Sequence, residues 1–360
     1  MSPVVTALDL PAGSPGGSVE LLNDLYGGAI PRISARLFML HSNRPPEPPI
    51  ETLKIYGKCL TGHRFWAYVD ALKTALTALV DPDDVAVTHL QHLAFGATPA
   101  LLRTLPEHPS IALVHGTDLL VAASNSTQCQ VLRQSAHRVT AIVVPTPAMA
   151  RRLRSLAPET NIAKIHHIPW GIPDHLLHQP LTPPLAQDRP FRLLYAGRLT
   201  AEKGVETLAA TCAQSKHMTL SIAAPADEYA RFSNQLQKTG CAHHYLGWLD
   251  RHQLWQVFRD HDALVVPSTT LEAFGLVAVE AQACGLPVLY QPVPGLTDVL
   301  GDSALPVDFT DPHALTTALR ILHQDPSARA DLRTAGYGNA RRFPISATAE
   351  ALIALGNQIT

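Results

Sequence analysis

Charge is scarce in this chain. Only 16% of its 360 residues are Asp, Glu, Lys or Arg, and 30 acids against 28 bases leave a net charge of −2. A nucleic-acid binder ordinarily shows a cationic face, yet the first 150 residues hold ten Lys or Arg against eleven Asp or Glu, with no basic run. The same scarcity speaks against a polyanionic or anionic-lipid acceptor, either of which would reward a polybasic patch. Cysteines are few as well. Cys59, Cys129, Cys212, Cys241 and Cys284 are odd in number and far apart, so neither a disulfide framework nor a CxxC metal site can be read from them. Long apolar runs are missing: no 18-residue stretch could cross a bilayer, and the amino terminus enters a strand-like pattern without a basic and then apolar leader. A cytoplasmic protein without a membrane segment is expected. Hydrophobic residues, by contrast, make up 46%, ample for packed cores, and the length exceeds that of one core. Two domains with a ligand cleft are expected.

Short apolar runs alternate with helix-length stretches. Pro3 to Leu10, Ala35 to Leu40, Val85 to Leu90, Ile111 to His115, Ala141 to Pro145 and Lys164 to Ile168 read as strands, with Ser18 to Tyr26 and Leu60 to Val80 as helices between them. This is the pattern of βαβ units and a parallel sheet. Prolines 180, 183, 184 and 190 then interrupt both helix and strand, so residues 173–190 read as a linker. The alternation restarts with strand candidates Phe191 to Gly197, Thr219 to Ala224, His243 to Gly247, Ala263 to Pro267, Pro287 to Tyr290 and Ala304 to Val307. The expectation is an N-terminal α/β domain over 1–172, a second over 191–342, and a last helix over 343–360 crossing back onto the first. Arg44 to Pro49 (RPPEPP) reads as a polyproline-like loop.

Two stretches carry chemistry. In Ala263 to Val288, ALVVPSTTLEAFGLVAVEAQACGLPV, a strand and a Ser/Thr turn lead into a helix beginning near Phe274. Glu272 lies at its N-terminal approach and Glu280 about two turns on, so both can face one cleft. Two glutamates at this spacing are ordinarily a solvated helix face. Here unpaired backbone N–H groups at the helix start and two carboxylates suit a ligand that is both anionic and hydroxyl-rich, such as a nucleotide sugar. In Leu193 to Val205, LLYAGRLTAEKGV, a strand ends at Gly197 and the following loop presents Arg198 and Lys203. Two cations at the C-terminal end of a parallel strand would meet a diphosphate where α/β sheets bind ligands.

These stretches resemble the retaining glycosyltransferases of family four, with their Gly-Arg-x(4)-Lys-Gly loop and Glu-x(7)-Glu motif. SPGGSVELL at Ser14 to Leu22, HGTD at His115 to Asp118, IPWGIPD at Ile168 to Asp174 and LGWLD at Leu246 to Asp250 extend the resemblance, in order, over most of the chain. It implies the GT-B fold, an α/β architecture of two Rossmann-like domains facing each other across a cleft that closes over the donor. It also implies transfer of a sugar from a nucleotide-diphosphate sugar with retention of anomeric configuration. Carried over, Arg198 and Lys203 would neutralise the diphosphate and Glu280 would take the ribose hydroxyls. Glu272, with backbone N–H groups near Phe274, Gly275 and Leu276, would hold the transferred sugar. Gly16 and Gly17 would let an N-terminal loop approach the phosphates, and His115 would position the sugar. His89 and His92, at the end of another strand, are candidates for the acceptor side, a core role being an equal alternative.

No metal and no cofactor beyond the nucleotide-sugar cosubstrate is expected. The pairs His166-His167 and His243-His244 sit on strand candidates, so neighbours point to opposite faces and make no chelate. Asp81, Asp83 and Asp84 lie outside the donor motifs. Departures from the family pattern, at Ala223 to Asp227, Trp170 and Tyr290 to Pro292, leave the base open between uridine and guanosine. A small, roughly neutral acceptor fits the composition, and weak analogy favours a specialised metabolite attacked through a hydroxyl or a thiol. A GT-B phosphorylase, an epimerase and a noncatalytic nucleotide-sugar sensor remain alternatives. Oligomeric state is not legible.

Overall fold

The computed structural model describes residues 4–42, 50–55, 58–59, 63–179, 189–200, 203–213 and 218–360. The RPPEPP loop and residues 180–188 of the expected linker lie outside them. The chain divides into two compact units: unit 1 is Met1–Gly171 with Ile345–Thr360, and unit 2 is Ile172–Pro344.

Unit 1 is built on a parallel sheet of β1 (Val4–Pro11), β2 (Ala35–Leu40), β3 (Ile50–Leu53), β4 (Val87–Gln91), β5 (Ser110–Leu113), β6 (Ala141–Val144) and β7 (Ile165–His167), in the order β3-β2-β1-β4-β5-β6-β7. Its strands read as continuous buried runs: Leu37 to Leu40, Ile111 to Val114 and Ala141 to Val144 are all buried. Helices on both faces of a parallel sheet leave no wet side, so alternation disappears. Local signals start those helices. Thr146 accepts from the Met149 N–H with Pro147 at the first helical turn, and Asn125 caps the helix Ser126–Arg138 in the same way. The final helix, Ile345–Ile359, buries Ile345, Ala349, Leu352 and Leu355, and its Thr348 hydroxyl donates to the Pro169 carbonyl at 2.9 Å.

Unit 2 repeats the scheme with β8 (Phe191–Ala196), β9 (Met218–Ala223), β10 (His243–Gly247), β11 (Ala263–Val266), β12 (Val288–Tyr290) and β13 (Leu305–Pro306), ordered β10-β9-β8-β11-β12-β13. Leu193, Leu220, Ile222, Val265 and Leu289 form its core with Leu208, Leu315 and Phe309. Strand order reverses between β1 and β4 in unit 1 and between β8 and β11 in unit 2. Neighbouring crossover connections run to opposite sides at these points, opening a crevice at the C-terminal strand ends where α/β sheets bind ligands.

Candidate active site

In unit 2 the residues flanking this reversal are those following β8 and β11. The loop after β8 carries Lys203 and the loop after β11 carries Glu272, and the Lys203 ammonium forms an ion pair with Glu272 Oε2. The Ser268 hydroxyl donates to the same oxygen at 3.2 Å. Two glycines make this approach possible. A Cβ on Gly204 (φ 64°) would lie 2.3 Å from the Pro267 carbonyl oxygen, and one on Gly295 (φ 93°) would lie 1.7 Å from that of Glu272. Neither position accepts a side chain without moving the loop that bears the site.

Arg198 is oriented by Glu228, in the first turn of the helix Ala226–Thr239. Nε donates to Glu228 Oε1 at 2.9 Å, and the Leu199 N–H donates to Oε2 at 2.6 Å. Tyr195 adds a bond from its hydroxyl to the Arg198 carbonyl. The guanidinium is half exposed and has Nη donors besides the Nε that binds Glu228, so it can offer them to an anion.

The helix Leu276–Ala283 begins at Gly275 next to buried Phe274, whose ring packs edge-on against Phe343 at 5.1 Å. Glu280, buried in that helix, accepts on Oε1 from the Arg251 guanidinium and on Oε2 from Trp255 Nε1 at 3.1 Å. Arg251 and Trp255 stand on one helix, Arg251–Arg259, which opens with a capping box between Asp250 and Gln253. Glu280 is thus held by two donors that sequence reading did not pair with it. One of its carboxylate lone pairs remains beyond these three bonds.

In unit 1 the flanking residues gather round the β4 end. His115 bonds through Nε2 to Gln91 Oε1 at 2.8 Å, while Gln91 Nε2 donates to the Thr6 hydroxyl at 3.0 Å. A carboxamide oxygen only accepts, so His115 carries its proton on Nε2 and presents Nδ1 as an acceptor. Burial first and the neighbouring His92 second hold the His115 imidazolium well below its ordinary pKa, with Asp118 opposing. Its ring stacks on Trp170 at 5.8 Å, which gives that departure from the family pattern a packing role. His92 lies 4.4 Å from His115 between ring centroids and has φ 67°, a left-handed conformation shared by no other non-glycine among the described residues. His89 goes elsewhere: its Nδ1 meets the Tyr26 hydroxyl at 2.7 Å in the core, and burial lowers its pKa to about 4. Gly16 caps, and Gly17 begins, the helix Gly17–Tyr26 after β1.

A second group beside His92 was not read from sequence. Asp9 at the end of β1 accepts from the Gly96 N–H at 2.9 Å, and Asp118 accepts from the Leu93 and Gly116 N–H groups at 2.8 and 2.9 Å. These buried carboxylates pin both ends of the loop after β4. Lys58 reaches Asp9 Oδ1 at 3.4 Å and lies over the Phe95 ring, 3.5 Å from its centroid.

Residues 183–339 match the family model "Glycosyl transferases group 1". The chain is 29% identical over 316 residues to D-inositol 3-phosphate glycosyltransferase 1 of Catenulispora acidiphila, covering 76% of this chain and 72% of that one. A second protein called D-inositol 3-phosphate glycosyltransferase, from Stackebrandtia nassauensis, is 43% identical over 104 residues, 28% of this chain and only 23% of its own length. Among solved structures, sucrose-phosphate synthase from Thermosynechococcus elongatus superposes with a TM-score of 0.82 at 22% identity over 99% of both chains. Anabaena HepE, solved in complex with UDP and glucose, superposes with a TM-score of 0.77 at 17% identity over 100% of both. The stretch 183–339, rather less than half of the chain, is thus of the glycosyl transferases group 1. The fold of this glycosyltransferase is GT-B, two parallel sheets each wrapped by helices.

Within the glycosyltransferase, the residues singled out from sequence do not all converge. Lys203 joins Glu272, and His92 joins His115, whereas Glu280 and Arg198 are each held by partners of their own. Glu228, Arg251, Trp255, Asp9 and Lys58 escaped notice because nothing local marks a carboxylate or cation whose partner is distant in sequence. Gly295 carried only the weak signal of a glycine shortly after a strand. Among the described residues no three His, Cys, Asp or Glu side chains converge as metal ligands, and no helix is long and apolar enough to cross a membrane.

Proposed function

We propose that this glycosyltransferase moves a sugar from a UDP- or GDP-sugar to a small-molecule acceptor, with retention of configuration and without a metal. The observation that carries the reading is the Lys203–Glu272 pair at the strand reversal of unit 2, directly before a helix N-terminus. A cation for phosphate beside a carboxylate for sugar hydroxyls is what the head of a nucleotide sugar requires.

Each group then has a task. Arg198, oriented by Glu228, and Lys203 meet the diphosphate and stabilise charge as it builds on the leaving nucleotide. Glu272 and the N–H groups of Phe274, Gly275 and Leu276 take the hydroxyls of the sugar, and Glu280 takes those of the ribose with its remaining lone pair. His115, neutral and offering Nδ1, accepts from a sugar hydroxyl. Gly16 and Gly17 give the loop after β1 a backbone that can lie close to phosphate. His92, rather than core-bound His89, serves the acceptor side. The anomeric carbon–phosphate oxygen bond breaks as the acceptor oxygen bonds to the same face, and the acceptor's proton passes to the departing phosphate. Specialised metabolites with a hydroxyl or thiol are the first acceptors to try.

UDP-glucose, GDP-mannose and a pool of such acceptors, incubated with purified protein, should release nucleoside diphosphate and give a product whose anomeric proton coupling matches the donor. An inverted product, or phosphate-dependent donor cleavage, contradicts the proposal.

A further inference from the structure

Unit 1 holds more buried charge than the reaction outlined above uses. Asp9 and Asp118 are at most 1% exposed, and Lys58 is the one ammonium recorded beside either of them among the described residues. Lys58 lies against Phe95, Phe95 against His92 at 4.8 Å, and His92 Nδ1 stands 3.9 Å from Asp118 Oδ1. The cluster is therefore continuous. It lies at the ends of β1 and β4, where the order of the unit 1 sheet reverses.

Two atoms in it lack a hydrogen bond. Asp9 Oδ1 accepts none, its lysine standing at ion-pair distance only, and His92 Nδ1, on a side chain 3% exposed, has none. A buried polar atom left without a partner costs about 1–3 kcal/mol, and native proteins keep few of them. His92 holds its place there with a left-handed backbone, φ 67°.

We infer that this cluster is the acceptor subsite and that it selects an uncharged, hydroxyl-rich acceptor over its phosphorylated form. The inference rests on the reading of unit 2 as the donor unit. Hydroxyl groups both donate and accept, which matches a carboxylate oxygen, an imidazole nitrogen and an ammonium set side by side. Phosphate is disfavoured by the charge balance: two carboxylates face one ammonium, and His115 is held neutral. The cluster therefore has no net positive charge to offer. Burial pulls the Lys58 amine below its ordinary pKa, with Asp9 and Asp118 opposing, so burial works against the one positive charge that a phosphate would need. The acceptor chemistry in the names of its inositol-phosphate relatives is thus not the chemistry this cluster suits.

The test measures binding to the full chain saturated with its nucleotide, using three pairs of probes: myo-inositol and its 3-phosphate, glucose and its 6-phosphate, fructose and its 6-phosphate. Saturation-transfer NMR with competition should find the uncharged member at least tenfold tighter in each pair that binds. Asp9→Asn should narrow that ratio several-fold and Lys58→Met should widen it, whereas a variant that only loosened the fold would weaken both members alike. Tighter binding of a phosphorylated member, or no saturation transfer to any polyol while nucleotide still binds, overturns the inference. Failure to bind nucleotide as well overturns the donor reading, and this one with it.

Discussion

Replacing Gly295 by alanine adds one methyl carbon at a point where the structure has no room for it. That carbon would stand 1.7 Å from the carbonyl oxygen of Glu272 and 2.9 Å from its carbonyl carbon, both backbone atoms that cannot rotate away. The Glu272 loop must retreat by more than about an ångström, and a shift of that size at a reacting centre costs on the order of 100-fold in rate. The conformation adds its own cost, since φ 93° at a residue with a Cβ strains the backbone by about 1–3 kcal/mol. Gly240→Ala separates the two effects. Gly240 has φ 71° at the C-cap of the helix Ala226–Thr239, and a Cβ there meets nothing within 4 Å. Both variants should lose several degrees of Tm, at roughly 2–4 °C per kcal/mol for a domain of this size. Only Gly295→Ala should lose turnover, read as nucleoside diphosphate released from the donor. A folded Gly295→Ala enzyme with normal turnover, or an equal loss in Gly240→Ala, refutes the reasoning.

Glu228→Gln keeps the size of the Arg198 partner but removes its charge, and should weaken nucleotide diphosphate binding about tenfold in calorimetry, in line with one charge-assisted bond; unchanged affinity contradicts the role given to Glu228. Arg251→Met leaves the Glu280 carboxylate buried beside Trp255 alone, which should cost about 3 kcal/mol in urea unfolding, while the double variant with Glu280→Gln should recover most of it. His89 sets a pH dependence. Its folded pKa of about 4 lies below the ordinary 6.5, so between those values the unfolded chain binds a proton that the folded chain refuses. Stability is full above pH 6.5 and falls by about 3 kcal/mol as the pH approaches 4, a slope that His89→Gln should flatten in urea titrations.

The alternation of apolar runs and helix-length stretches was enough to locate most strands because parallel strands bury both faces and show as short, uninterrupted apolar segments. β3 was missed: Ile-Glu-Thr-Leu at the sheet edge has one fully buried residue and no such run. Lys203 and Glu272 were legible since each lies in a loop framed by a strand, a helix and glycines. Their direct pairing was not, because sequence spacing says nothing of distances across 69 positions. The histidines divide for the same reason. His89 and His92 are three residues apart, yet the first lies inside β4, in the core, while the second lies beyond the strand end with a positive φ. Only the end of the strand decides between core and site, and strand ends are what sequence fixes least. Lys58 and Asp9 are invisible singly; their meaning arises only when Lys58, beyond β3, meets Asp9 of β1 and Phe95 beyond β4.

The central claim, a nucleotide-sugar site in unit 2 built on Lys203 and Glu280, is tested most directly by the thermal shift of the wild type with UDP, GDP, dTDP and ADP. The same panel is applied to Lys203→Ala and Glu280→Ala. One nucleotide should raise the wild-type Tm selectively, and each variant should need at least about tenfold more of it for the same rise. No shift with any nucleotide, or variants that respond as the wild type does, would contradict the account.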